Sequence, residues 1–189
     1  MSVQIQKHTV SELEKLLEEG ERYELLQGEL IGMAPTKADH GAITVEILYV
    51  LRHFVKTHRL GLVFGTEMGI KFSENDLLGV DGAYVSKERL SKNAVNEQGW
   101  LVIAPELVIE VASKSNTAAE LDQKLGVYFQ YGVQQVWIIF PSTQKVMIYT
   151  AINKVTVLLS NDKLTGGDIL PGFEVRVGDL FADYNELLP

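Results

Sequence analysis

The sequence predicts an α/β fold in which a central mixed β-sheet is flanked by helices, and three observations carry that prediction. A strand, helix, strand succession runs from Leu107 to Phe140. Short apolar segments punctuated by glycine precede it, beside one long helical stretch. The 189 residues, 46% of them hydrophobic, suffice for one full core. No repeat, low-complexity tract or linker divides the chain, so one domain over residues 1–189 is expected, with 1–22 as an N-terminal helix and arm.

From Thr9 to Gly20 the pattern is helical: Thr9 and Glu12 form a capping box, Leu13, Leu16 and Leu17 an apolar stripe, and Gly20 a stop. The segment Tyr23 to Met33 reads as two strands around Gln27 and Gly28, a tight hairpin carrying Glu24 and Glu29. After a loop with Pro35, His40 and Gly41, a helix extends to about Arg59 on a face of Ile43, Ile47, Val50, Leu51 and Phe54. Leu62 to Phe64, Met68 to Phe72 and Val80 to Val85 are expected strands, and Ser86 to Gly99 a polar loop with a helical turn.

The next unit is the clearest. A strand at Leu107 to Val111 leads through a helix from about Ala118 to Tyr131, capped by Thr117 and Glu120, into a strand at Val136 to Phe140. That order implies a parallel strand pair. Lys145 to Tyr149 and Val155 to Leu159 follow as a hairpin, then a turn at Leu170, Pro171 and Gly172 and a terminal helical piece.

The N-terminus lacks an apolar run of signal-peptide length and nothing later resembles a membrane span, so a cytoplasmic protein without membrane attachment is expected. The absence of cysteine excludes disulfides and Cys-ligated zinc or iron–sulfur sites, and leaves oxygen ligands as the natural metal chemistry. A net charge of −8 weighs against nucleic-acid binding through a broadly basic surface. Acids clustered in a metal site would account for part of that charge. No P-loop, dinucleotide fingerprint, nucleophile elbow or paired-histidine motif is present.

Two acids stand where strands need apolar residues. Glu110 lies inside LVIEV, on one face with Val108 and Ala112, and Asp81 lies in GVDGAYV, with Ala83 and Val85. An ionised carboxylate in such a setting costs several kcal/mol or more unless a cation or hydrogen-bond network meets it, roughly as measured transfer costs imply. Two such acids on neighbouring strands point to a shared divalent ion, Mg²⁺ or Mn²⁺, a combination suited to phosphodiester hydrolysis. Lys124, at the border of the stripe Leu121, Leu125, Tyr128 and Phe129, can reach back along the sheet to assist water attack. His40 occupies a loop position suited to a proton shuttle or substrate contact. Each has a plainer reading: Glu110 a buried paired acid, Asp81 a turn residue beside Gly82, Lys124 an exposed helix lysine, His40 a structural or solvated histidine, and Tyr128, Tyr131 and Trp137 core aromatics.

The segments YELLQGEL, the His40–Gly41 pair, VDGAYV, PELVIEVAS, KLGVYFQYGVQQVWII and LPGF, in this order from about Tyr23 to Phe181, resemble the Uma family of the PD-(D/E)XK endonuclease superfamily. The resemblance implies a restriction endonuclease-like fold, a divalent metal, and a DNA substrate. It implies Asp81 as the motif aspartate, Glu110 as the second metal ligand, and Lys124 as a lysine moved from the strand to the following helix. It further implies Glu29 and Glu24 as accessory acids, and, by analogy with dimeric relatives, a homodimer. The chain departs from the pattern at Val80, where the family has Pro, and at Ala112, where a strand lysine is expected; Lys114 is the competing catalytic lysine. The acidic charge and altered motif support an alternative, a non-catalytic homodimeric interaction or DNA-binding module on the same fold.

Overall fold

A computed structural model describes residues 6–91, 93–113 and 117–187. The elements, in order, are α1 (Val10–Glu18), β1 (Tyr23–Leu26), β2 (Glu29–Gly32), α2 (Ala38–His58), β3 (Gly61–Phe64), β4 (Met68–Ser73), β5 (Asp76–Val80) and β6 (Gly82–Ser86). They continue as β7 (Leu107–Val111), α3 (Ala118–Gln130), β8 (Gln135–Phe140), β9 (Lys145–Ala151), β10 (Lys154–Leu158), β11 (Lys163–Gly166), β12 (Leu170–Arg176) and α4 (Asp179–Leu187).

Local sequence explains most of these boundaries. Thr9 and Glu12 close the capping box of α1. The β1–β2 hairpin turns on Gln27 and Gly28, both at positive φ (52° and 81°), the signature of a two-residue hairpin loop. Arg59 ends α2 in the left-handed conformation, and the Thr117 hydroxyl accepts the Glu120 N–H at the start of α3.

The main sheet has six strands in the order β10-β9-β8-β7-β6-β3; all neighbours are antiparallel except β7 and β8, joined through α3. Its alternating side chains feed two cores. Leu107, Ile109, Val111, Trp137 and Ile139 meet Ile43, Ile47 and Leu51 of α2 and Leu180 and Phe181 of α4. Val108, Ala83, Val85, Val136 and Ile138 meet Leu125 and Tyr128 of α3, together with Leu26, Ile70, Leu78 and Val80 from a second, four-stranded sheet, β2-β1-β5-β4. Each such side chain fully buried contributes about 1.5–3 kcal/mol, so the three-layer arrangement follows from the period-two pattern of β7 and β8. Val10 and Leu13 tie α1 to Leu25 and Leu77 of the smaller sheet.

Three expectations are corrected. His40 and Gly41, expected in a loop, lie in the first turn of α2, which begins at Ala38. Val80 to Val85 is two strands: β5 belongs to the smaller sheet, β6 to the larger, and the chain bends at Asp81 between them. The Asp81 carboxylate accepts the Val111 N–H (2.7 Å), and Gly82 admits α2 so closely that a Cβ there would stand 2.6 Å from Leu48 Cδ2. The Leu170–Gly172 turn is instead the start of β12, paired with β11 across a bulge near Gly166. Pro171 is tolerated because this two-stranded sheet consists only of edges.

Candidate active site

The register of β6 against β7 sets Gly82 opposite Ile109 and Ala83 opposite Val108. Asp81, at the bend just before β6, accepts the Val111 N–H (2.7 Å), which brings it next to Glu110, while the alternation of β7 puts Glu110 on the face of Val108. Glu110 thus turns toward α3, and Asp81 stands at the bend beside it.

Four further side chains converge there. Lys124 Nζ on α3 is 2.8 Å from Glu24 Oε2 and 3.7 Å from Glu110 Oε1. One helical turn on, the Tyr128 hydroxyl donates a short hydrogen bond to the same Glu110 Oε1. Glu24 arrives from β1, beside Gly79, where a Cβ would crowd its Oε1 at 3.4 Å. His40, in the first turn of α2, holds Nε2 3.2 Å from Asp81 Oδ2, and the Thr44 hydroxyl donates to the His40 carbonyl (2.7 Å). A pocket lined by Lys37, His40, Ala112, Ser113 and Phe140 opens beside the cluster, past the carboxyl ends of the parallel pair β7 and β8. Ligand crevices of α/β sheets favour that end.

Glu24, Glu110 and Lys124 are almost fully buried, so electrostatics inside the cluster is strong. Burial pushes the Glu110 carboxyl up to about 7; Asp81 and Glu24 push the same way, and Lys124 and the Tyr128 phenol act against them. Burial also raises Glu24, against the pull of Lys124. His40 is raised chiefly by its hydrogen bond to Asp81. For Lys124, burial works toward the neutral amine, but Glu110 and Glu24 outweigh it and hold the ammonium charged.

The structure therefore gathers Asp81, Glu110, Lys124, Glu24 and His40. It does not bring in Glu29, whose half-exposed carboxylate lies 3.6 Å from Lys7 Nζ. Lys114, Ser115 and Asn116 lie outside the described residues. Sequence reasoning missed Tyr128, read as a core aromatic. Its spacing of four from Lys124 and the need of a buried phenol for an acceptor were the available signals.

A divalent ion can be tested against these side chains. Among the described residues no three acids or histidines stand as a ready-made ligand set. The donors nevertheless fit a sparser site. Among the described residues the only cationic group meeting the buried Glu24 Oε2 is the Lys124 ammonium at 2.8 Å, which Glu24 shares with Glu110. Burial, with the nearby Asp81 charge adding to it, raises the proton affinity of Glu24 and of Glu110, as happens to acids short of positive charge. Mg²⁺ commonly takes one or two carboxylates and completes its shell with water and phosphate.

Comparisons with known proteins agree with this architecture. A protein from Anabaena variabilis ATCC 29413, described as a putative nuclease belonging to DUF820, superposes with a TM-score of 0.78 at 23% identity, covering 92% of this chain and 97% of that one. That likeness establishes the restriction endonuclease-like α/β fold. No curated protein matches the chain. The family model Uma2, described as "Putative restriction endonuclease", matches residues 10–178, the span that contains every residue of the cluster. The chain belongs to the Uma2 family.

Proposed function

We propose that this protein is a divalent-metal-dependent endonuclease that hydrolyses phosphodiester bonds in DNA. The observation that supports the reading is the nearness of Asp81, which accepts the Val111 N–H, to Glu110, whose proton affinity it helps to raise, with Lys124 Nζ 3.7 Å from Glu110 Oε1. Asp81 and Glu110 would hold Mg²⁺ or Mn²⁺, and Glu24 stands close enough to act as an accessory acid. When bound, the ion would acidify and orient the attacking water and offset charge developing on the phosphorus oxygens.

The chain's own groups perform the remaining work. Lys124, kept charged by Glu24 and Glu110, steadies the nucleophilic water and the negative charge of the phosphoryl group as the water oxygen bonds to phosphorus and the P–O ester bond breaks. His40, whose proton affinity is raised by its hydrogen bond to Asp81 and which lines the neighbouring pocket, contacts the substrate phosphate or supplies the proton taken by the leaving oxygen. A homodimer would place two such centres for cutting both strands.

One observation favours a second reading. Lys124 and His40 already partner all three acids, as they would in a non-catalytic module that keeps the nuclease fold to bind DNA or a second copy. Plasmid and single-stranded DNA incubated with Mg²⁺ or Mn²⁺ separate the two: cleavage that disappears in Asp81→Ala, with a metal-dependent rise in Tm in the parent, is the expected outcome. Cleavage undiminished by Asp81→Ala would overturn the assignment, and a Tm indifferent to metal would favour the non-catalytic module.

A further inference from the structure

We propose that Tyr128 is a positioning residue that holds the Glu110 carboxylate in the orientation in which it takes the divalent ion, an inference that rests on the metal-dependent reading above. The sequence sets Tyr128 one helical turn after Lys124, so both side chains leave the same face of α3. The ring is fully buried, packed against Phe72 of β4 at a centroid distance of 5.7 Å, within the apolar cluster that includes Leu125, Val136 and Ile138. Packing on this scale leaves the ring little freedom. Its hydroxyl is spent on Glu110 Oε1.

The carboxylate needs such a fixture. The terminal torsion of a glutamate is broad and roughly two-fold, so the strand alone does not set the plane of its oxygens. Lys124 fixes it weakly, standing 3.7 Å from Oε1 while only 2.8 Å from Glu24. Tyr128 is the closer partner, and both contacts fall on the one oxygen, Oε1. Any buried phenol seeks an acceptor. Here the acceptor is an acid already crowded by Asp81 and Glu24, and a neutral O–H steadies it without supplying a charge that would compete with a metal.

The test is a Mn²⁺ titration by calorimetry on the parent chain, Tyr128→Phe and Phe72→Leu, with circular dichroism to establish folding. Loss of an outer partner of a metal ligand weakens metal affinity roughly 10–100-fold, the drop expected for Tyr128→Phe. Phe72→Leu, which loosens the same packing and leaves the hydroxyl, is expected to lower Tm with no change in Mn²⁺ affinity. Mn²⁺ binding by folded Tyr128→Phe as tight as the parent's overturns the inference, as does an equal loss in Phe72→Leu, which would tie affinity to packing. If Tyr128→Phe does not fold in buffer, the titration is repeated in sucrose, which favours the buried state; failure to fold there as well assigns Tyr128 to the core and overturns the inference. A parent chain that binds no Mn²⁺ defeats the metal-dependent reading itself, an outcome read directly from the parent titration.

Discussion

Strand β7 is bordered by one buried acid and carries another, and their surroundings differ. Glu106, just before the strand, is 6% exposed and receives the Ser86 N–H (3.0 Å), the Ser86 hydroxyl (2.6 Å) and Arg89 Nε (3.1 Å). Arg89 in turn donates to the Ala104 carbonyl. One acid there has one guanidinium and two neutral donors. Four residues on, among the described residues, Glu110 shares a single ammonium with Glu24 and lies near Asp81, with a phenol as its neutral donor. A buried acid with its own full set of donors is architecture. Acids that must divide one cation are a site with capacity for another.

Removing the cation from each region sharpens the contrast, and the largest effect belongs to the crowded one. Lys124→Met strands Glu24 and Glu110 together and is expected to cost about 3–5 kcal/mol at pH 8, the range for breaking a buried pair. Arg89→Met leaves Glu106 with both Ser86 donors and one-third exposed surroundings at the lost guanidinium, and should cost about 1–2 kcal/mol. Urea denaturation of both variants measures the difference, and equal costs would erase the distinction drawn between the two acids.

The next effect depends on pH. The Glu110 carboxyl is about 7 in the folded chain against 4.5 ordinarily, so the folded state keeps its proton while the unfolded state has lost it. Stability contributed at this group therefore falls as pH climbs from about 4.5 to about 7, then levels. Glu110→Gln lacks that titration. Its Tm relative to the parent is expected to rise between pH 5 and pH 8, by the equivalent of about 3 kcal/mol at most. A gap that is flat or closes with pH would show that Lys124 and Tyr128 satisfy the carboxylate completely. The smallest effect is at Glu29: with half-exposed ion pairing to Lys7, Glu29→Ala should shift stability by less than about 0.5 kcal/mol in the same denaturation assay.

What could be read in the sequence follows the range of the interactions. The β1–β2 hairpin, α1 and the β7-α3-β8 unit announce themselves through turn residues, caps and periodicity, all within a dozen residues or so. Glu110 was legible because an acid inside LVIEV violates its own strand. The bend at Asp81 was not, since β5 and β6 form one continuous strand-like run and the change of sheet depends on Val111 and Leu48, each distant in the chain. Glu24 and Glu29 look alike on the hairpin. Only the packing of the smaller sheet sends one to Lys124 and leaves the other with Lys7. Tyr128 carried the same ambiguity, because a helical stripe records that a residue is buried and not what its hydroxyl meets.

The bend at Asp81 also has a mechanical consequence. Glu24 is rooted in the smaller sheet and Glu110 in the larger, and the chain passes directly from one sheet to the other through the aspartate itself. Spacing among the acids is thus governed by the hinge angle of that seam, so insertions at the far rim of either sheet leave it untouched, whereas one extra residue between Val80 and Gly82 would pull the two halves of the centre out of alignment.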